Sequence, residues 1–116
     1  MSRTCAFLTL EDRTGFHIND HLAVEPLAKR GWSVEEVPWN RPNTKWGRFD
    51  AVVIRSTWDY QNNPKAFLAA LEAIECATRL FNPVDICRWN LDKHYLHDLQ
   101  TKGIHTVPTH WFHGLN

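Results

Sequence analysis

Residues 50–60, Asp-Ala-Val-Val-Ile-Arg-Ser-Thr-Trp-Asp-Tyr, constrain the fold of this chain more than any other stretch. Ala51, Val52, Val53 and Ile54 form an unbroken apolar run, without the alternation of a strand that keeps one face in water. Such a run reads as the middle strand of a parallel sheet covered by helices on both faces. Burying each of these Val and Ile side chains is worth roughly 1.5–3 kcal/mol, enough to hold the next residues in a fixed place. Those residues are polar: Arg55, Ser56, Thr57 and Asp59, interleaved with the rings of Trp58 and Tyr60. In open α/β sheets the crevice beyond the carboxyl ends of the strands is where ligands bind, which makes this cluster a candidate site. The plainer alternative is that Arg55 and Asp59 pair with each other at the start of a loop, an exposed ion pair of little energetic weight.

The flanking sequence supplies the other layers. Residues 4–10 (Thr-Cys-Ala-Phe-Leu-Thr-Leu) read as a first strand, followed by a polar loop, Glu11 to Gly15. A dinucleotide site would need a Gly-x-Gly-x-x-Gly turn here; an acidic pair stands in its place. Asn19 or Asp20 caps a helix expected to run to about Arg30, with Leu22, Ala23, Leu27 and Ala28 inward and Gly31 as its stop. Pro26 should kink that helix or delay its start. Residues 34–37 predict a second strand, nearer an edge because Ser33, Glu35 and Glu36 interrupt it. A loop over residues 38–48 comes next, whose Trp39 and Trp46 are expected to cover the end of the sheet.

Asn63-Pro64 is a strong helix start, Asn as cap and Pro at the first helical position. Phe67, Leu68, Leu71 and Ile74 then recur at helical spacing, so this helix should pack on the sheet as far as about Ala77. Residues 79–81 predict a short strand ending at Asn82-Pro83. Asn90 is expected to open a last helix with Tyr95, Leu96 and Leu99 inward and Gly103 as its stop, and residues 104–108 and 111–112 read as extended pieces. The order of elements predicts one α/β domain over residues 1–116, three-layered, with a mostly parallel sheet and right-handed crossovers. Its strand ends should bring Glu11-Asp12, residues 55–60 and Asn82-Pro83 to one edge.

Composition excludes several classes. Thirteen Lys and Arg balance thirteen Asp and Glu, so the basic footprint of a nucleic-acid binder is missing, and the six tryptophans have no basic groove around them. Three widely spaced cysteines without a C-x-x-C pair fit reduced thiols in a cytoplasmic protein, and no window is apolar enough to span a membrane. His94 and His97 share a helix, and His105, His110 and His113 cluster in the tail, but the spacing matches no standard zinc pattern and no metal ligands are assigned. Cys87 has no positioned base that would make it a nucleophile.

Three motifs together resemble a known family: Val-Ile-Arg-Ser-Thr-Trp-Asp-Tyr, Phe-Asn-Pro-Val-Asp-Ile-Cys-Arg-Trp-Asn-Leu-Asp-Lys, and Lys-Gly-Ile-His-Thr-Val-Pro-Thr. They are similar to the amino-terminal, Rossmann-like pre-ATP-grasp domain of ATP-grasp ligases of the glutathione-synthetase type. Within these they look most like the group that includes the cycloserine-forming O-ureido-serine cyclo-ligase. The resemblance implies the substrate-side domain of a ligase that activates a carboxylate as an acyl phosphate, using ATP and Mg, for attack by an amine or similar nucleophile. It implies that Arg55 faces a small carboxylate or amino-acid-like substrate, with Ser56, Thr57 and Asp59 as neighbours, and that Lys93 reaches toward nucleotide phosphates. Without the rest of the ligase, Lys93 also reads as an ordinary solvated lysine.

The resemblance further implies that the ATP-grasp catalytic domain is not in these 116 residues, so that no catalytic residue is assigned and tight ATP binding is not expected. Apolar surface left open around Trp111 and Phe112 would then favour a homodimer. The alternative function is a stand-alone α/β ligand-binding or interaction module that shares only the fold.

Overall fold

Four strands, β1 (Arg3–Thr9), β2 (Trp32–Pro38), β3 (Ala51–Ile54) and β4 (Arg79–Phe81), form one sheet in the spatial order β2-β1-β3-β4. Every pairing is parallel. The computed structural model describes residues 2–111. Between β1 and β3 the strand order reverses direction, since the chain leaves β1 toward β2 on one side and later fills β3 and β4 on the other. That reversal is the switch point at which the carboxyl ends of an open sheet leave a crevice. The second strand is an edge, as its interrupted apolar pattern requires.

Side chains alternate across each strand, and the two faces differ. Ala6, Leu8, Val52 and Leu80 point to one face and pack against Phe67, Leu71 and Ile74 of α2 (Pro64–Ala77) and Val84 of α3 (Val84–Asn90). The Asn63 side chain accepts the Ala66 N–H at 3.1 Å, and Pro64 occupies the first turn, so α2 starts where Asn-Pro places it. Trp39, Trp46 and Phe49 from the loop between β2 and β3 also pack on this core, Trp39 at the carboxyl end of the sheet, where it meets Phe67 edge-on at 5.2 Å, and Phe49 at the opposite end, where its carbonyl accepts the Thr78 hydroxyl.

The opposite face carries α1 (Val24–Ala28), whose Leu27 shares a recess with Cys5, Trp32 and Val53. This layer is much thinner than the helix expected over residues 20–30. Residues Asp20–Ala23 wind as a 3-10 turn instead, and Pro26 falls in the first turn of a five-residue helix, where a missing N–H does no harm. Leu22, expected inward, is 65% exposed, and Asn19 makes no side-chain cap. Gly31 ends the segment at φ +88°, a conformation that favours glycine. So short a helix leaves β3 and β4 bare on its side: Val53 is only half-buried and Phe81 is 49% exposed.

The carboxyl-terminal part also differs from its expected form. Asn90 ends α3 rather than opening a helix, and a turn over residues 91–94 precedes α4 (Tyr95–Thr101). No residue of α4 is buried; it is tied to α3 through Trp89, which donates its indole N–H to Asp98 at 2.7 Å and meets the Tyr95 ring at 5.4 Å. Residues 104–108 form no strand. Among the described residues, no helix is long and apolar enough to cross a membrane.

Candidate functional site

The polar cluster begins where β3 leaves the sheet. The N–H groups of Arg55 and Ser56 both reach the Leu8 carbonyl of β1, at 3.2 and 2.9 Å, which anchors the first residues of the cluster to the switch point. Asp20, carried in by the 3-10 turn, meets them there. Its Oδ1 accepts from Arg55 Nε at 3.1 Å and lies 3.1 Å from Nη2 in an ion pair, and its Oδ2 accepts the Ser56 hydroxyl in a short hydrogen bond. The Asp20 side chain is 6% exposed and that of Arg55 is 49% exposed. The guanidinium thus rests one edge on a buried carboxylate and sits 5.8 Å from the centre of the Phe7 ring, and among the described residues its Nη1 has no acceptor.

Ser56 and Thr57 are buried, so they support the loop and do not present hydroxyls to solvent. Asp59 does not pair with Arg55. Its Oδ1 instead accepts the Trp39 indole N–H at 2.8 Å, which fastens the loop after β3 to the loop after β2. Trp58 turns outward, 43% exposed, and its ring lies 5.3 Å from that of Phe16 in the loop after β1.

Between these loops lies a cleft of about 340 Å³, walled by the Phe16 and Trp58 rings and lined by Leu10, Asp12, Asp59 and Asn62 among others. Its charged lining is acidic, with no Lys, Arg or His. The Thr14 hydroxyl and N–H hold the Asp12 carboxyl below the ordinary carboxylate range, so it is ionised across the neutral range. At the same strand end, the buried Thr9 hydroxyl has no hydrogen-bond partner among the described residues. The same strand edge carries a half-free guanidinium, which is not part of the cleft lining, and a small cleft with carboxylates and exposed rings; the first suits an anionic group and the second a cationic one.

Of the residues singled out from the sequence, the structure brings Arg55 and Ser56 together on Asp20 and puts Asp59 in the cleft wall. Asn82 and Pro83 follow β4 on the same sheet edge but do not line the cleft. Lys93 lies in the turn before α4, exposed, its ammonium 5.6 Å from the centre of the Tyr95 ring. Among the described residues no three His, Cys, Asp or Glu side chains converge as a metal site; His94 contacts Asp92 and stacks on Trp111 at 4.7 Å, while Phe112 and His113 lie outside the described residues. Sequence reasoning missed Asp20, whose position before an apolar segment suggested only a cap, and Phe16, for which no local signal existed.

Comparison with known proteins bears on the same region. The family described as the N-terminal domain of D-cycloserine synthetase DcsG matches residues 5–82, which takes in Asp20 and the segment from Arg55 to Asp59 and stops short of Lys93. The cycloserine biosynthesis protein DcsG of Streptomyces lavendulae is 40% identical over 79 residues, 68% of this chain and 26% of the relative. A crystal structure of D-cycloserine synthetase DcsG superimposes with a TM-score of 0.78 at 34% identity, covering 90% of this chain and 35% of that one. The chain therefore spans about a quarter to a third of the length of the relatives it matches.

Proposed function

The chain belongs to the family of the N-terminal domain of D-cycloserine synthetase DcsG, and on that premise we propose that it is the substrate-side domain of an ATP-dependent ligase of the ATP-grasp type. In this reading it holds a small amino-acid-like carboxylate while the carboxyl group is activated as an acyl phosphate for attack by an amine or similar nucleophile. One observation carries the reading: Arg55 stands at the switch-point edge with one edge of its guanidinium fixed by Asp20 and the rest turned to solvent. A guanidinium positioned in advance loses little freedom on taking a carboxylate. The acidic cleft at the same edge of the sheet, with Asp12 and Asp59 in its lining, supplies a place for an ammonium group.

ATP and Mg enter this proposal through other parts of the ligase. The described residues do not fit an ATP–Mg cradle by themselves: Lys93 is a single exposed cation against Tyr95, and no group of carboxylates converges to hold a metal. We therefore assign no step of the reaction to a residue of this chain beyond binding and orienting substrate.

A chimera tests the proposal. The matched amino-terminal region of the Streptomyces relative is replaced by this chain, and ADP release is followed with an amino-acid-like carboxylate present. Substrate-dependent ADP release that is abolished by Arg55→Gln is the expected result. A folded chimera that releases no ADP, or one indifferent to Arg55→Gln, rejects the reading.

A further inference from the structure

The sheet face that α1 leaves bare carries a second recess, at the amino-terminal edge of the strands and away from Arg55. A cavity of about 460 Å³ lies there between Arg3, Trp32, Asp50, Arg79 and Phe81. An apolar recess of about 210 Å³ shares Trp32 and Phe81 with it and adds Cys5, Leu27 and Val53. Register explains the grouping. Arg3 and Cys5, Ala51 and Val53, and Arg79 and Phe81 alternate in step along three neighbouring strands, and Trp32 pairs with Arg3, so all point to one face.

Charge sets this cavity apart. Arg13, Arg41, Arg48, Arg55 and Arg88 each hold a carboxylate within the chain. Arg3, Arg30 and Arg79 hold none among the described residues, and two of these three, Arg3 and Arg79, line this one cavity. The Arg3 guanidinium lies 5.6 Å from the centre of the Trp32 ring, a contact that uses none of its N–H groups on a carboxylate. Asp50 is already engaged, its Oδ2 accepting the Thr4 N–H at 2.8 Å. Burial pushes the Cys5 thiol up, so it is neutral and belongs with the apolar lining.

We propose that this recess binds a small monocarboxylate with an apolar body, of the aryl- or alkyl-carboxylic acid class. Its carboxylate sits with Arg3 and Arg79, and its body covers Val53, Trp32 and the exposed side of Phe81. The Asp50 charge at the rim selects a single negative charge over a double one. A volume of about 460 Å³ lies within the range of small-molecule sites, about 300–1,000 Å³. The site is separate from the carboxyl-edge cleft and does not rest on the proposed ligase role.

The test titrates 3-phenylpropionate into the 116-residue chain and follows backbone amide shifts by NMR. Saturable shifts centred on Arg3, Trp32, Val53 and Phe81 are expected, while acetate, which has no apolar body, and 3-phenylpropylamine, which has no anion, fail to saturate over the same range. Arg3→Gln and Arg79→Gln should each weaken binding by roughly tenfold, the loss of one charge-assisted contact, and Arg30→Gln should leave it unchanged. The three-probe comparison on the unaltered chain decides the matter without any variant. Equal binding of the amine, shifts centred elsewhere, no saturation, or indifference to both arginine variants overturns the proposal.

Discussion

Arg55 and Asp20, 35 positions apart in sequence, meet on a single carboxylate oxygen, which accepts the Nε hydrogen bond at 3.1 Å and lies 3.1 Å from Nη2 in an ion pair. One partner is nearly buried and the other half-exposed, so the pair ties the loop after β3 to the turn before α1 and still leaves Arg55 an open side.

Replacing Arg55 by Ala leaves the buried Asp20 carboxylate with only the Ser56 hydroxyl, and the expected loss of stability is about 1–3 kcal/mol. Asp20→Ala strands the buried Ser56 hydroxyl and should cost a similar amount. Because the two share one interaction, the double variant should be less destabilised than the sum of the singles. Urea unfolding of all three proteins measures this, and strict additivity would show that the pair does not couple.

The Trp39 indole and the Asp59 carboxylate form the second tie at this edge. Trp39→Phe keeps a ring against Phe67 but removes the N–H donor, and should lower stability by about 0.5–1.5 kcal/mol relative to a change in packing alone. The same substitution made in an Asp59→Asn background should have a smaller effect. Equal effects in both backgrounds would mean that the hydrogen bond contributes nothing.

Asn63→Ala removes the cap of α2 and is expected to destabilise the chain by about 0.5–2 kcal/mol, while Asn63→Asp should be close to neutral. Thermal melts of the two variants separate loss of the acceptor from any general intolerance at this position.

The thiols give a pH-dependent prediction. Burial pushes the Cys5 thiol above the ordinary value of 9.0, and burial followed by the Glu75 charge does the same for Cys87, whereas Cys76 is exposed. A thiol reagent at mildly alkaline pH should therefore label Cys76 well before the other two, as read by mass spectrometry. Both raised groups hold their protons longer in the folded state than in the unfolded one. Their contribution to stability is full below about 9.0 and declines as pH rises past it, because there the unfolded chain binds fewer protons. A stability that climbs between about pH 8.5 and 10 would contradict the sign for these groups.

The sequence by itself determined the local elements: the buried run of β3, the edge character of β2, the Asn-Pro start of α2 and the polar cluster beyond Ile54. Each is written in a window of a few residues, as an unbroken or interrupted apolar pattern or a capping pair, and the parallel arrangement follows from their order. Only the tertiary structure decided which groups the cluster meets. Asp20 reached Arg55 and Ser56, and Trp39 reached Asp59, because sheet order and register place loops from distant parts of the chain side by side, which no local pattern encodes. The same holds for α1 and the bare face beneath Phe81: Leu22 has a helix former's apolar side chain, but Asp20–Ala23 wound as a 3-10 turn and left too little helix to cover β3 and β4.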